Sequence, residues 1–95
     1  MEYINNFLSS ISIEGLSKNT IDSYKRDLEQ VLDYFDSKKK SLLKLKREDL
    51  VEYVEGLNIE YSTRSIARKI SAIKHFYDFL QLEKIIMSNP STLLQ

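Results

Sequence analysis

The sequence predicts an all-α fold, four helices arranged as two helical hairpins with a short C-terminal tail, on three observations. Its 95 residues include only two glycines and one proline, so few positions break a helix and helix formers fill most of the rest. Apolar residues recur at three- and four-residue spacing in four separate segments. Short runs rich in glycine, serine or lysine divide those segments, with serines where a helix needs a cap. A chain of this length makes one domain with a modest core.

The first helix is read from about Glu2 to Ile13, with Tyr3, Ile4, Phe7, Leu8 and Ile11 on one stripe. Glu14-Gly15-Leu16 closes it, the glycine supplying the permissive backbone that helix ends favour. Ser17 then suits the N-cap of a second helix, in which Ile21, Tyr24, Leu28, Val31, Leu32 and Phe35 keep helical spacing. Opposite that stripe stand Asn19, Ser23, Arg26 and Gln30, a row of amides, hydroxyl and guanidinium suited to phosphates or base edges. Asp22, Glu29 and Asp33 lie beside it, as they would on an ordinary wet surface.

Lys38 to Leu45 lacks periodicity and reads as a basic connector. Arg47-Glu48-Asp49 opens a third, shorter helix, where acids suit the positive end of the helix dipole. Its apolar side is Leu50, Tyr53, Val54 and Leu57, and it ends near Gly56 to Ile59. Ser62 caps a fourth helix that continues to about Leu82. After it, Ile85 to Pro90 stops helix formation, because the residue before proline is pushed out of the α region.

The fourth helix separates its residues most clearly. At about 100° per residue, Ile66, Ile70, Ile73, Tyr77 and Leu80 share one sector, and Arg64, Arg68, Ser71 and His75 share the opposite one. No acid interrupts Ser62 to Tyr77, so the outward face is a positive strip, flanked by Lys69 and Lys74. Solvated helices usually mix signs, with Glu and Lys four residues apart, and this strip does not. Nucleic-acid backbone is its natural partner. Arg64 and Arg68 are accordingly expected to matter for binding and little for stability, and Ile70 the reverse. Phe76 lies at the margin of the stripe and Phe79 far from it. Either the first helix covers that flank through Phe7, Leu8 or Ile11, or Phe79 and Ile86 form an exposed docking surface.

Net charge is formally zero, yet Lys38 to Arg47 holds six bases and no acid, and Glu48 to Glu60 five acids and no base. Polarisation along the chain, rather than a generally basic protein, follows. Without cysteine there is no disulfide framework or thiolate metal site. The N-terminal stretch has no uninterrupted apolar run, so neither a signal peptide nor a membrane span is read there, and a cytoplasmic location is the default. Catalysis has little to stand on: His75 is the single histidine, and Glu48, Asp49 and Glu52 are better dipole partners than metal ligands. No cofactor and no metal are expected.

Three stretches, Gly15 to Leu28, Ser62 to Phe79 and Asn89-Pro90, resemble the N-terminal core-binding domain of tyrosine recombinases, the phage integrases and Xer-type enzymes. The resemblance runs from about Tyr3 to Leu94. It implies a SAM-like four-helix module forming half of a C-shaped clamp on duplex DNA, with the second and fourth helices at the major groove and adjoining phosphates. Site residues implied on the second helix are Ser17, Asn19, Thr20, Ser23 and Arg26. On the fourth they are Thr63, Arg64, Ser65, Arg68, Ser71, Lys74 and His75. Tyr24 and Asp27 match positions expected to be structural. In this family strand cleavage belongs to a later domain, so the fragment is expected to be non-catalytic, with no tyrosine here acting as nucleophile. Residues 1–87 are read as the DNA-binding domain and 88–95 as the start of a linker to a catalytic domain of the same parent chain. Implied partners are double-stranded DNA, that catalytic domain and other recombinase protomers on DNA, with no membrane. A helical protein-interaction module and a stand-alone regulator of an integrase remain alternatives, since fold does not fix function.

Overall fold

A computed structural model describes residues 1–94; Gln95, the last residue of the segment read as a linker, lies outside the described residues. The four helices are α1 (Glu2–Ile13), α2 (Lys18–Ser37), α3 (Arg47–Leu57) and α4 (Thr63–Leu82), with a short 3-10 turn at Leu42–Lys44 between α2 and α3. No strand forms among the described residues. Local chemistry accounts for the ends. Gly15 turns the chain out of α1 at φ +96°, a conformation that side chains disfavour. The Ser17 hydroxyl accepts from the Thr20 amide at 3.2 Å, and Ser62 does the same for Ser65 at 3.2 Å. At α3 the Asp49 carboxylate takes the Lys46 amide at 2.9 Å and the Lys40 ammonium at 2.7 Å.

Helix α4 is the axis of the bundle. The pairings α1 with α2 and α3 with α4 both form, and α4 also packs on α2 and α1. Because three helices cover it, its buried face is broader than the sequence stripe and turned by about 50° toward α1 and α2. Lys69, Ala72, Ile73, Phe76, Tyr77 and Leu80 are buried, whereas Ile66 and Ile70 are half-buried. Phe7 of α1 meets both Phe76 and Phe79 with ring centroids 5.7 Å apart. Ile86 is itself buried, so of the two readings of Phe79 the structure supports coverage by α1.

The connector is less open than its lysines suggest. Leu42 and Leu45 enter the core, and the Tyr77 hydroxyl donates to the Leu42 carbonyl oxygen at 2.6 Å. After α4 the chain folds back. Asn89 donates to Asp78 at 2.9 Å and accepts from the Ser91 amide and hydroxyl at 2.9 and 2.7 Å. Ser91 and Leu94 are buried, and Lys74 donates to the Leu94 carbonyl at 3.2 Å.

One ion cluster ties α2 to α4. Asp27, 2% exposed, accepts from Arg68 Nε and Nη2 at 2.9 Å each and from Lys69 Nζ at 3.0 Å. Lys69 also donates to Gln30 Oε1 at 2.6 Å and lies 4.4 Å from the Tyr61 ring centroid. Every buried side-chain polar atom among the described residues has a partner. This corrects three expectations. Lys69 is buried rather than flanking the outer strip, Gln30 turns to it instead of standing free, and Arg68 carries structural weight.

Three outcomes follow. Ile73→Ala should cost about 2–5 kcal/mol in urea unfolding, and the half-buried Ile70→Ala clearly less. Asp27→Ala, which strands a buried ammonium, should cost about 3–5 kcal/mol. Arg68→Ala should cost roughly 1–2 kcal/mol, since its side chain is 42% exposed and Lys69 remains on the carboxylate.

A fourth outcome concerns alkali. Burial, ahead of nearby Tyr61, pushes the Tyr53 hydroxyl from its ordinary value of 10 up to about 12. Burial raises Tyr77 further. Both are more readily deprotonated when unfolded, so the stability they contribute is complete below pH 10 and is lost as pH rises through the folded value. Denaturation midpoints measured across pH 8–12 should fall above about pH 10, and less steeply in Tyr53→Phe.

Candidate nucleic-acid interface

The N-terminal half of α2 and the middle of α4 lie side by side, and between them runs an open cleft of about 280 Å³. Asn19, Thr20, Ser23 and Tyr24 line it from α2, and Arg68 and Ser71 from α4. No acid is among these lining residues. The site brings amide, hydroxyl and guanidinium groups onto one surface, with the positive end of the α2 dipole at Asn19 and Thr20. Such a set suits phosphate oxygens and base edges.

The remaining sequence-derived residues frame the cleft to different degrees. Ser17 lies at its α2 end, occupied in capping and donating to Thr20 Oγ1 at 2.9 Å. His75 is exposed and meets Tyr24 edge-to-face, with centroids 5.7 Å apart. Arg26 is exposed on α2, outside the cleft lining, and makes no ion pair among the described residues. Thr63 and Arg64 are exposed on the first turn of α4, and half-buried Ser65 accepts from the Ser62 hydroxyl at 3.2 Å. Lys74 is half-buried, its ammonium directed to the tail at Leu94.

Sequence reasoning missed how Arg68 is held. Two of its five N–H groups are taken by Asp27, which leaves three for the cleft side. The hydrogen bonding it donates to Asp27, against some burial, raises the guanidinium pKa above its already high value, so the charge is permanent. A signal was present: Asp27 stands three residues after Tyr24 and four before Val31, on the apolar stripe itself. An acid there needs a cationic partner from another helix. Burial, followed by the Asp27 charge, also raises Tyr24.

No helix among the described residues is long and apolar enough to cross a membrane. Comparison with known proteins bears on the family and the fold. "Tyrosine recombinase XerD" of Rickettsia bellii is 42% identical over 92 residues, covering 95% of this chain and 30% of that protein. The XerD of Oceanobacillus iheyensis is 40% identical over 96 residues, 96% of this chain and 32% of the relative. "Tyrosine recombinase XerC" of Herpetosiphon aurantiacus is 33% identical over 93 residues, 95% and 30% of the two chains. The chain thus spans about a third of the length of these curated relatives. A family profile described as "Phage integrase, N-terminal SAM-like domain" matches residues 4–84. With helices, caps and match extending over nearly the whole chain, the protein belongs to the family of phage integrase N-terminal SAM-like domains.

Proposed function

We propose that this chain is the DNA-binding, core-binding domain of a site-specific tyrosine recombinase, gripping one side of duplex DNA through α2 and α4 during integration or recombination. The observation that carries the reading is the acid-free cleft in which Asn19, Thr20, Ser23, Arg68 and Ser71 converge from two helices. Arg64 and His75 extend the same face along α4, and Arg26 along α2. Strand cleavage is assigned to another part of the parent recombinase, because the chain matches only about a third of the length of the curated recombinases and its tyrosines are buried or half-buried. Contacts with that catalytic part, or with another protomer on DNA, fit the flank between the ends of α1 and α4. There Ile13 and Leu82 are 88% and 79% exposed beside a groove between the two helices.

Binding to a mixed-sequence duplex should be weak and salt-dependent. Roughly four phosphate contacts give a slope of about −3.6 in log affinity against log salt, with a dissociation constant on the order of 10⁻⁴ to 10⁻⁶ M at physiological salt. Fluorescence anisotropy across a salt series measures both. Arg64→Ala should lower the slope by roughly one unit, and Leu82→Ser should leave it unchanged. No binding to duplex even at low salt, with Leu82→Ser disrupting self-association instead, would favour a protein-interaction module.

A further inference from the structure

We propose that Asp27 is a positioning residue for DNA: it fixes the Arg68 guanidinium at the α2–α4 cleft, while buried Lys69 balances the carboxylate so that Arg68 keeps its charge for a backbone phosphate. The inference rests on the DNA reading above and assigns a division of labour within that site.

Geometry supplies the first part. Both Asp27 oxygens engage the Nε and Nη2 edge of Arg68 at 2.9 Å, which fixes the plane of the guanidinium as well as its place. Asp27 is 2% exposed and Arg68 42%, so the anchor is buried and the outer donors are not. Ser71 lies one turn further along α4, and Asn19 and Ser23 face it from α2, all within the same cleft. These neutral groups can complete the shell of a phosphate held by one cation.

Charge supplies the second part. A lone carboxylate on Arg68 would cancel the cation and leave the cleft neutral. Lys69 reaches the same Asp27 oxygen at 3.0 Å from the buried side, so two cations share one anion and the cluster carries one net positive charge. Lys69 itself is 3% exposed and cannot touch DNA. Fixing Arg68 beforehand also removes the ordering cost that a free arginine meets on binding, a factor of roughly three to ten in affinity.

The charge arithmetic makes the test discriminating. Asp27→Asn removes a negative charge from beneath the cleft, so a purely electrostatic role predicts tighter binding, and a positioning role predicts weaker binding. With a fluorescein-labelled 20-base-pair duplex of mixed sequence, each variant is titrated well below its melting temperature. Asp27→Asn should weaken binding roughly three- to tenfold, and should cause no loss when introduced into Arg68→Ala. That second comparison separates action through Arg68 from general loosening of the bundle. Should Asp27→Asn fail to fold, Arg68→Lys serves: it keeps the charge and loses the fork, and should weaken binding similarly. Unchanged or tighter binding by either variant beside a binding-competent unaltered chain overturns the positioning role alone. Absence of binding by the unaltered chain at low salt overturns the DNA reading and the proposal with it.

Discussion

Asp27 is the constraint on which the relation of α2 to α4 depends. A carboxylate buried to 2% exposure is tolerable only if cations and donors surround it. Here Arg68 supplies two hydrogen bonds and Lys69 a third, with Gln30 and Tyr61 accommodating the remainder of the lysine. An apolar residue at position 27 would bury as readily, so burial alone does not account for the ion cluster. Its directional bonds join the two helices at one defined place, which apolar contacts alone specify less sharply. The cleft lies beside that tie, with Arg68 and Ser71 of α4 facing Asn19 and Ser23 of α2.

The rest of the bundle holds α4 in place around this tie. Phe7 covers the Phe76 and Phe79 flank, and the Tyr77 hydroxyl pins the connector at Leu42. The folded-back tail occupies Lys74 and Asp78 through Leu94 and Asn89. With those sides covered, the strip through Arg64, Ser71 and His75 is the polar face that α4 leaves exposed. The proposed DNA surface is thus the side of one central helix that its neighbours leave free.

Much of the fold was legible in the sequence, because helices are specified by local signals. Ser17 and Ser62 cap as expected, Gly15 takes its positive φ, and the bounds of all four helices agree closely with the apolar period. What the period did not resolve was the angular width of the buried face. A stripe drawn through Ile66, Ile70, Ile73, Tyr77 and Leu80 assumes one neighbour, whereas α4 has three, so Lys69 and Ala72 went inside and Ile70 only half so. The candidate site was legible as two rows of polar residues, but not as a cleft: only a tertiary contact selects Arg68 and Ser71 over Lys74, whose ammonium is drawn to the tail. Lysine at position 69 illustrates the limit, since charge alone places a residue on the surface and a buried partner overrides it.

The central claim is that the α2–α4 cleft is the surface that meets DNA. The most direct measurement is a nitrogen-15 chemical-shift titration of the chain with a short mixed-sequence duplex, following backbone amides and the arginine Nε–H signals. The account predicts the largest shifts at Asn19, Thr20, Ser23, Arg68 and Ser71, extending to Arg64 and His75. Shifts confined to Ile13, Leu82 and their neighbours on the flank between the ends of α1 and α4, with the cleft unmoved, would contradict it.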